Sequence, residues 1–182
     1  MEAKSVLKNR QTCRNFSDTQ VSDKELDYIL KAGNAAPVSL GQYQKVELHV
    51  IQDKKILNKI EELVYSVNPQ IGKHPFYNAP TVILVSAQKE VTPELYPLAY
   101  CNASCIIENM MLASTDLELG SVYLYAVPAV LGQLENTCSD LYKELSIKDD
   151  FFPVAMMAVG NSATPLNARE FVKDKISTVY ID

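Results

Sequence analysis

The densest set of chemistry-bearing side chains lies at the start of the 182-residue chain. Lys4, Lys8, Arg10 and Arg14 fall within the first 14 residues, opposed only by Glu2. Arg10-Gln11-Thr12-Cys13-Arg14 joins two guanidinium forks to an amide and a hydroxyl. Such a set can grip an anion through charge-assisted bonds and hydrogen-bond a planar heterocycle with what remains. On composition alone the stretch also reads as the solvated face of an N-terminal helix. A second cationic group, Arg169, Lys173 and Lys175, stands near the other end. The two groups can clamp one phosphate if the fold brings them together; otherwise the second is a charged surface loop. Between them, residues 36–45 form a turn-rich loop through Pro37 and Gly41, offering Ser39, Gln42, Gln44 and free backbone amides.

Other chemistries have less to work with. His49 and His74 stand in neither HExxH nor zinc-ligand spacing, so no metal site is expected, and each reads as a structural or surface histidine. Six glycines are too scattered for the dinucleotide fingerprint or the P-loop. Cys13, Cys101, Cys105 and Cys138 make no CxxC pair, and Cys101 with Cys105 reads as two small buried hydrophobes on one helix face. Twenty-two acidic against 17 basic residues give a net charge of −5, which disfavours a general nucleic-acid surface. The start has no apolar signal core. The most apolar stretch, 103–117, carries Glu108, Asn109 and Asp116, so no membrane partner is expected and a cytoplasmic protein with free thiols is.

The elements that must position these groups follow from periodicity. Ser22-Asp23-Lys24-Glu25 is a capping box, and Leu26, Ile29 and Leu30 recur behind it at helical spacing up to about Ala35. Residues 45–52 alternate as a half-buried strand, residues 55–66 are helical, and 67–78 reads as a loop. Val82-Ile83-Leu84-Val85 marks a strand covered on both faces. Residues 100–119 form a long helix, apolar on most of its surface and closed by Gly120. Its apolar excess, Ile106 to Ala113, suggests that a second copy covers part of it. A strand over 121–126, a helix opening at Pro128, a buried strand over 153–159 and a tail strand over 175–181 complete the order. Regular alternation would allow a parallel sheet. With no glycine-rich strand-to-helix turn, α+β is favoured, a sheet packed with helices around one very apolar helix.

Six segments, in order, resemble the nitroreductase family across nearly the whole chain. Arg10 to Phe16 is similar to that family's Arg-x-Ser/Thr-x-Arg/Lys-x-Phe flavin motif. Ala35-Ala36-Pro37 and Gln42-Tyr43-Gln44 resemble its next two segments, and Tyr77 to Pro80 with Val82 to Val85 resembles its "APxxIxV" segment. Glu108-Asn109-Met110 with Leu119-Gly120-Ser121 is similar to its long helix and exit. Pro153-Val154-Ala155 leading to Val159-Gly160-Asn161 resembles its last strand.

The resemblance implies a single FMN-binding domain over 1–182, with 161–182 as an extension reaching the partner of an intertwined homodimer. It implies FMN as cofactor, NADH or NADPH as donor, and ping-pong transfer to a small acceptor such as a nitroaromatic or quinone. Arg10 and Thr12, with Arg169 or Lys173, then meet the phosphate. Gln11 and Arg14 meet the ring, Arg14 at its N1/O2 side, where positive charge favours the reduced flavin. Pro37, Val38, Ser39 and Gln42 follow, with the backbone of Tyr125 and Ala126 at the N5/O4 edge, and no side chain need act as a catalytic nucleophile. Val38, Lys45 and Tyr125 depart from the family pattern; the alternative they raise is a flavin-binding or storage protein with little turnover.

Overall fold

The molecule, a computed structural model describing residues 1–90, 92–170, 172 and 175–181, is organised about a four-stranded sheet. Its strands are β1 (Val46–Ile51), β2 (Thr81–Gln88), β3 (Gly120–Leu124) and β4 (Phe151–Gly160), in the order β1-β2-β4-β3. All three pairings are antiparallel, which settles the choice for α+β over a parallel sheet. Val82 to Val85 are fully buried because helices cover both faces. Under one face, α3 (Lys54–Val67), α5 (Ala126–Gln133) and α6 (Ser139–Glu144) contribute Leu57, Ile60, Val64, Val130, Leu131 and Leu141. Against the other lie α2 (Asp23–Asn34) and α4 (Tyr96–Asp116), with Ile29, Ile106, Ile107, Met110 and Met111.

α2 starts as its sequence dictates. The Glu25 carboxylate accepts from the Ser22 N–H at 2.8 Å while Ser22 Oγ accepts from the Glu25 N–H at 3.4 Å. Its glycine, Gly33, has a packing reason: a Cβ there would stand 2.9 Å from Met110 Cγ, so α2 rides directly on α4. α4, about 31 Å long at 1.5 Å per residue, buries Ala99, Ala103, Ile106, Ile107, Met110, Met111 and Ala113 within one subunit. Of the apolar run that suggested a second copy, α2 and the sheet cover all but Leu112, which is half-exposed.

Four other expectations are corrected. Cys101 and Cys105 are exposed, because the buried arc of α4 is phased on Ala103, Ile106 and Met110 and leaves both thiols on the far side. The strand after α4 stops at Leu124, and the next helix opens at Ala126 rather than at Pro128. The loop over 67–78 contains a short 3-10 turn at Pro69–Ile71. The described part of 175–181 forms no strand within the subunit; Ile176, Val179, Tyr180 and Ile181 are exposed. Alternation supplies strand propensity, but a strand needs an edge to pair with, and none in the same chain is engaged. No helix among the described residues is long and apolar enough to cross a membrane.

Candidate functional site

The N-terminal segment reaches its position by joining the sheet edge. α1 (Ala3–Asn9) ends at Arg10, and the chain then runs extended beside β3, with Thr12 bridging Ser121 and the Cys13 N–H donating to the Ser121 carbonyl at 2.9 Å. Cys13 and Phe16 are buried; Thr12 and Arg14, which flank Cys13 and point to the other side of the chain from it, are exposed. Gly120 permits this approach, since a Cβ there would stand 2.8 Å from Cys13 Cβ and Sγ. The second cationic group does meet the first. The Arg169 guanidinium donates to the Arg10 carbonyl, and its backbone N–H donates to the Lys8 carbonyl at 3.4 Å. Gln11 Nε2 donates to the Asn167 carbonyl at 2.9 Å. Lys175 is exposed, and Lys173 lies outside the described residues.

A partly buried guanidinium such as that of Arg10 is stabilised by an anion beside it. Within the chain that role falls to Glu108 on α4, whose Oε1 lies 3.6 Å from Arg10 Nε. Its side chain is 51% exposed, so solvent screens the pair and an incoming dianion can compete for Arg10. A second group is left wanting: Ser121 Oγ is buried and has no hydrogen-bond partner among the described residues. An unpaired buried hydroxyl costs about 1–3 kcal/mol, which a ligand's polar atom can recover. Along β3 from Ser121 to Leu124 is about 10 Å at the usual strand rise. Just beyond, Tyr125 and Ala126 open α5, both exposed. The first N–H groups of a helix have no partner within it, so this end offers donors to an electron-rich edge. Arg10 and Thr12, Ser121 and the opening of α5 thus follow the edge of the sheet at β3, a donor set suited to a phosphate-bearing heterocycle.

Along the same flank of α4, Ser104 Oγ lies 3.4 Å from the Tyr123 hydroxyl, and Tyr100 meets Tyr125 with ring centroids 6.1 Å apart. Burial, with Tyr125 and Tyr96 beside it, holds the Tyr100 phenol above its usual range. The remaining expected residues stand elsewhere. The Ser39 N–H and hydroxyl both donate to Asn102 Oδ1, at 2.9 Å each. Pro37 is exposed, Val38 turns into the core, and Gln42 borders a small cleft with Lys45 and Asn102. At 100° per residue, Asn102 and Ser104 lie about 160° apart around the helix. The expected site residues therefore fall on two nearly opposite flanks of α4, and one subunit does not bring them together.

Asn102, Glu108, Tyr100, Tyr123 and Ser121 were not singled out for the site in the sequence. The available signal was α4 itself: Tyr100, Ser104 and Glu108, four residues apart, make a polar stripe on an otherwise apolar helix. Both histidines have hydrogen-bonding neighbours within the subunit. His49 Nε2 lies 2.7 Å from Ser86 Oγ, and His74 Nδ1 lies 3.1 Å from Glu61 Oε2.

Comparison with known proteins adds an independent line. The model of a family described as the Nitroreductase family matches residues 7–161. A protein of Archaeoglobus fulgidus, provisionally named as an NADH dehydrogenase/NAD(P)H nitroreductase, is 28% identical over 159 residues, 87% of this chain and 84% of that protein. A solved nitroreductase with bound FMN from Desulfitobacterium hafniense superposes with a TM-score of 0.81 at 21% identity, covering 99% of this chain and all of that one. Another with bound FMN, from Bacteroides fragilis, gives 0.79 at 21% identity and covers both chains completely.

Proposed function

Because the chain belongs to the nitroreductase family, a family of oxidoreductases, we propose that it is an FMN-dependent reductase. It draws electrons from NADH or NADPH and passes them to a small oxidised acceptor such as a nitroaromatic or quinone. The observation that carries this reading is the meeting of Arg10 and Arg169, 159 residues apart in sequence, on the segment whose Thr12 bridges β3 at Ser121. FMN, when bound, would supply the redox chemistry between a nicotinamide donor and the acceptor, and one site used by both in turn would give ping-pong kinetics.

The chain's own residues bind and orient. Arg10 and Arg169 neutralise the phosphate, with Thr12 as a hydroxyl donor and Glu108 yielding its hold on Arg10. Lys173 is a further candidate for the same charge. Gln11 and Arg14 serve the heterocycle, Arg14 supplying positive charge at its N1/O2 side. The opening N–H groups of α5 at Tyr125 and Ala126 donate to the N5/O4 edge. Pro37, Val38, Ser39 and Gln42 complete the enclosure from a second copy, Val38 through its backbone since its side chain is buried. The site is then shared across a homodimer; of the extension over 161–182, residues 162–169 are held against the chain's own N-terminal segment, and the exposed 175–181 tail is the part that reaches over the partner.

The reading with little turnover, a flavin-binding or storage protein, draws on Tyr125, a bulky side chain at the entrance to α5. One experiment separates the two. The purified protein, loaded with FMN under anaerobic conditions, is mixed with NADH or NADPH and then with a quinone. Bleaching of the flavin absorption followed by its return supports a reductase. A stably bound flavin that neither nucleotide bleaches supports storage, and failure to bind FMN contradicts both.

A further inference from the structure

Five aromatic residues gather at the α5 end of the candidate site. Tyr125, which immediately precedes α5, is 54% exposed. Its ring meets Tyr100 at 6.1 Å and 61°, Tyr100 meets Phe152 at 6.3 Å and 62°, and Phe152 meets Tyr96 at 6.0 Å and 50°. Tyr123 stands two residues back on β3, its hydroxyl beside Ser104. Edge-to-face contacts fix the orientation of the rings that make them. Tyr125 is thus held from one side by Tyr100 while much of its surface stays open. Tyr125 is the residue from which α5 opens, so its exposed ring borders that end of the helix.

We propose that Tyr125, braced edge-on by Tyr100, is the specificity-determining wall of the acceptor site, taking flat ring compounds in contact with it and turning away thick ones. The inference rests on the flavin reading above. Its physical basis is distance: aromatic rings attract at centroid separations of about 4.5–7 Å, and groups standing out of the ring plane hold a ligand beyond that range. An exposed tyrosine with a braced ring costs little entropy to use, since only a few torsions remain to be fixed on contact.

The test uses the FMN-loaded protein with Tyr125→Gly and Tyr125→Phe. Tyr125 is exposed, and glycine is well tolerated immediately before a helix, so the fold does not depend on the side chain. Two readouts are taken. One is the ratio of kcat/KM for 2,6-di-tert-butyl-1,4-benzoquinone to that for 1,4-benzoquinone, in which thickness changes and the reacting group does not. The other is the dissociation constant of 2-naphthol, flat and not reducible, read from the shift of the flavin absorption band. Tyr125→Gly is expected to raise the ratio about tenfold and weaken 2-naphthol about three- to tenfold. Tyr125→Phe should leave both near wild type. A flavoprotein in which neither readout moves in Tyr125→Gly overturns this inference alone. A wild-type protein that takes up no flavin overturns the flavin reading and this one with it.

Discussion

Arg10 is held from two sides, its guanidinium by Glu108 and its carbonyl by Arg169, so its side chain is already oriented when an anion arrives. Losing a charge-assisted pair with a phosphate costs about 2–3 kcal/mol, roughly 30- to 150-fold in affinity. Arg10→Ala should weaken FMN binding by that factor in a fluorescence titration, and unchanged affinity would remove the residue from the phosphate site. A second residue-scale expectation concerns pH. Burial, outweighing the attraction of Glu47, holds His49 below its ordinary value of 6.5. As pH falls through about 6.5 the unfolded chain takes up this proton before the folded one, so stability drops until the folded histidine titrates too. The urea midpoint should fall between about pH 7.5 and about pH 5.5, and fall less in His49→Gln. At this scale the Arg10–Arg14 cluster was legible because its residues are neighbours in sequence. Glu108, Asn102 and the unpaired Ser121 hydroxyl were not, because their meaning lies in contacts made by distant segments.

The elements carry the site through close approaches that only glycine allows. At Gly120 the missing Cβ admits the N-terminal segment to the edge of β3, and at Gly160 a Cβ would stand 2.7 Å from Pro80 Cδ. Gly120→Ala should destabilise the protein by about 1–3 kcal/mol through overpacking and weaken FMN binding by displacing Thr12. Gly132, inside α5, is the contrasting case: its nearest neighbour, Pro153 Cγ, is 4.0 Å away. Gly132→Ala should be neutral or stabilising by up to about 1 kcal/mol, since alanine favours the helix. Urea unfolding of the two variants checks both signs at once. Element identity was legible wherever burial is one-sided or complete, as in the capped α2, the doubly covered β2 and the apolar α4. Phase and register were less so. The composition of α4 marked it as buried but left open which arc faced the core, and so Cys101 and Cys105 were expected inside. The alternating tail carried strand propensity without revealing whether an edge awaited it.

For the whole molecule, the consequence of a site split across α4 is association. Arg10, Thr12 and the start of α5 lie along one flank with Tyr100, Ser104 and Glu108, Ser39 and Gln42 lie near the other, and Cys101 and Cys105 face outward between them. A two-fold pairing of α4 helices that brings the flank of one copy to the opposite flank of the next would complete the site. It would also give the exposed 175–181 tail a second sheet to meet. Such an interface should bury more than roughly 2,000 Å² in total, and flavin binding and association should stabilise one another. The most direct measurement is sedimentation velocity of the FMN-loaded protein at low micromolar concentration, followed at the flavin absorption band. The expected result is one flavin per chain, sedimenting with a species of twice the 20.3 kDa subunit mass. Flavin travelling with a 20.3 kDa monomer would contradict the shared site, and a protein that carries no flavin would contradict the assigned chemistry.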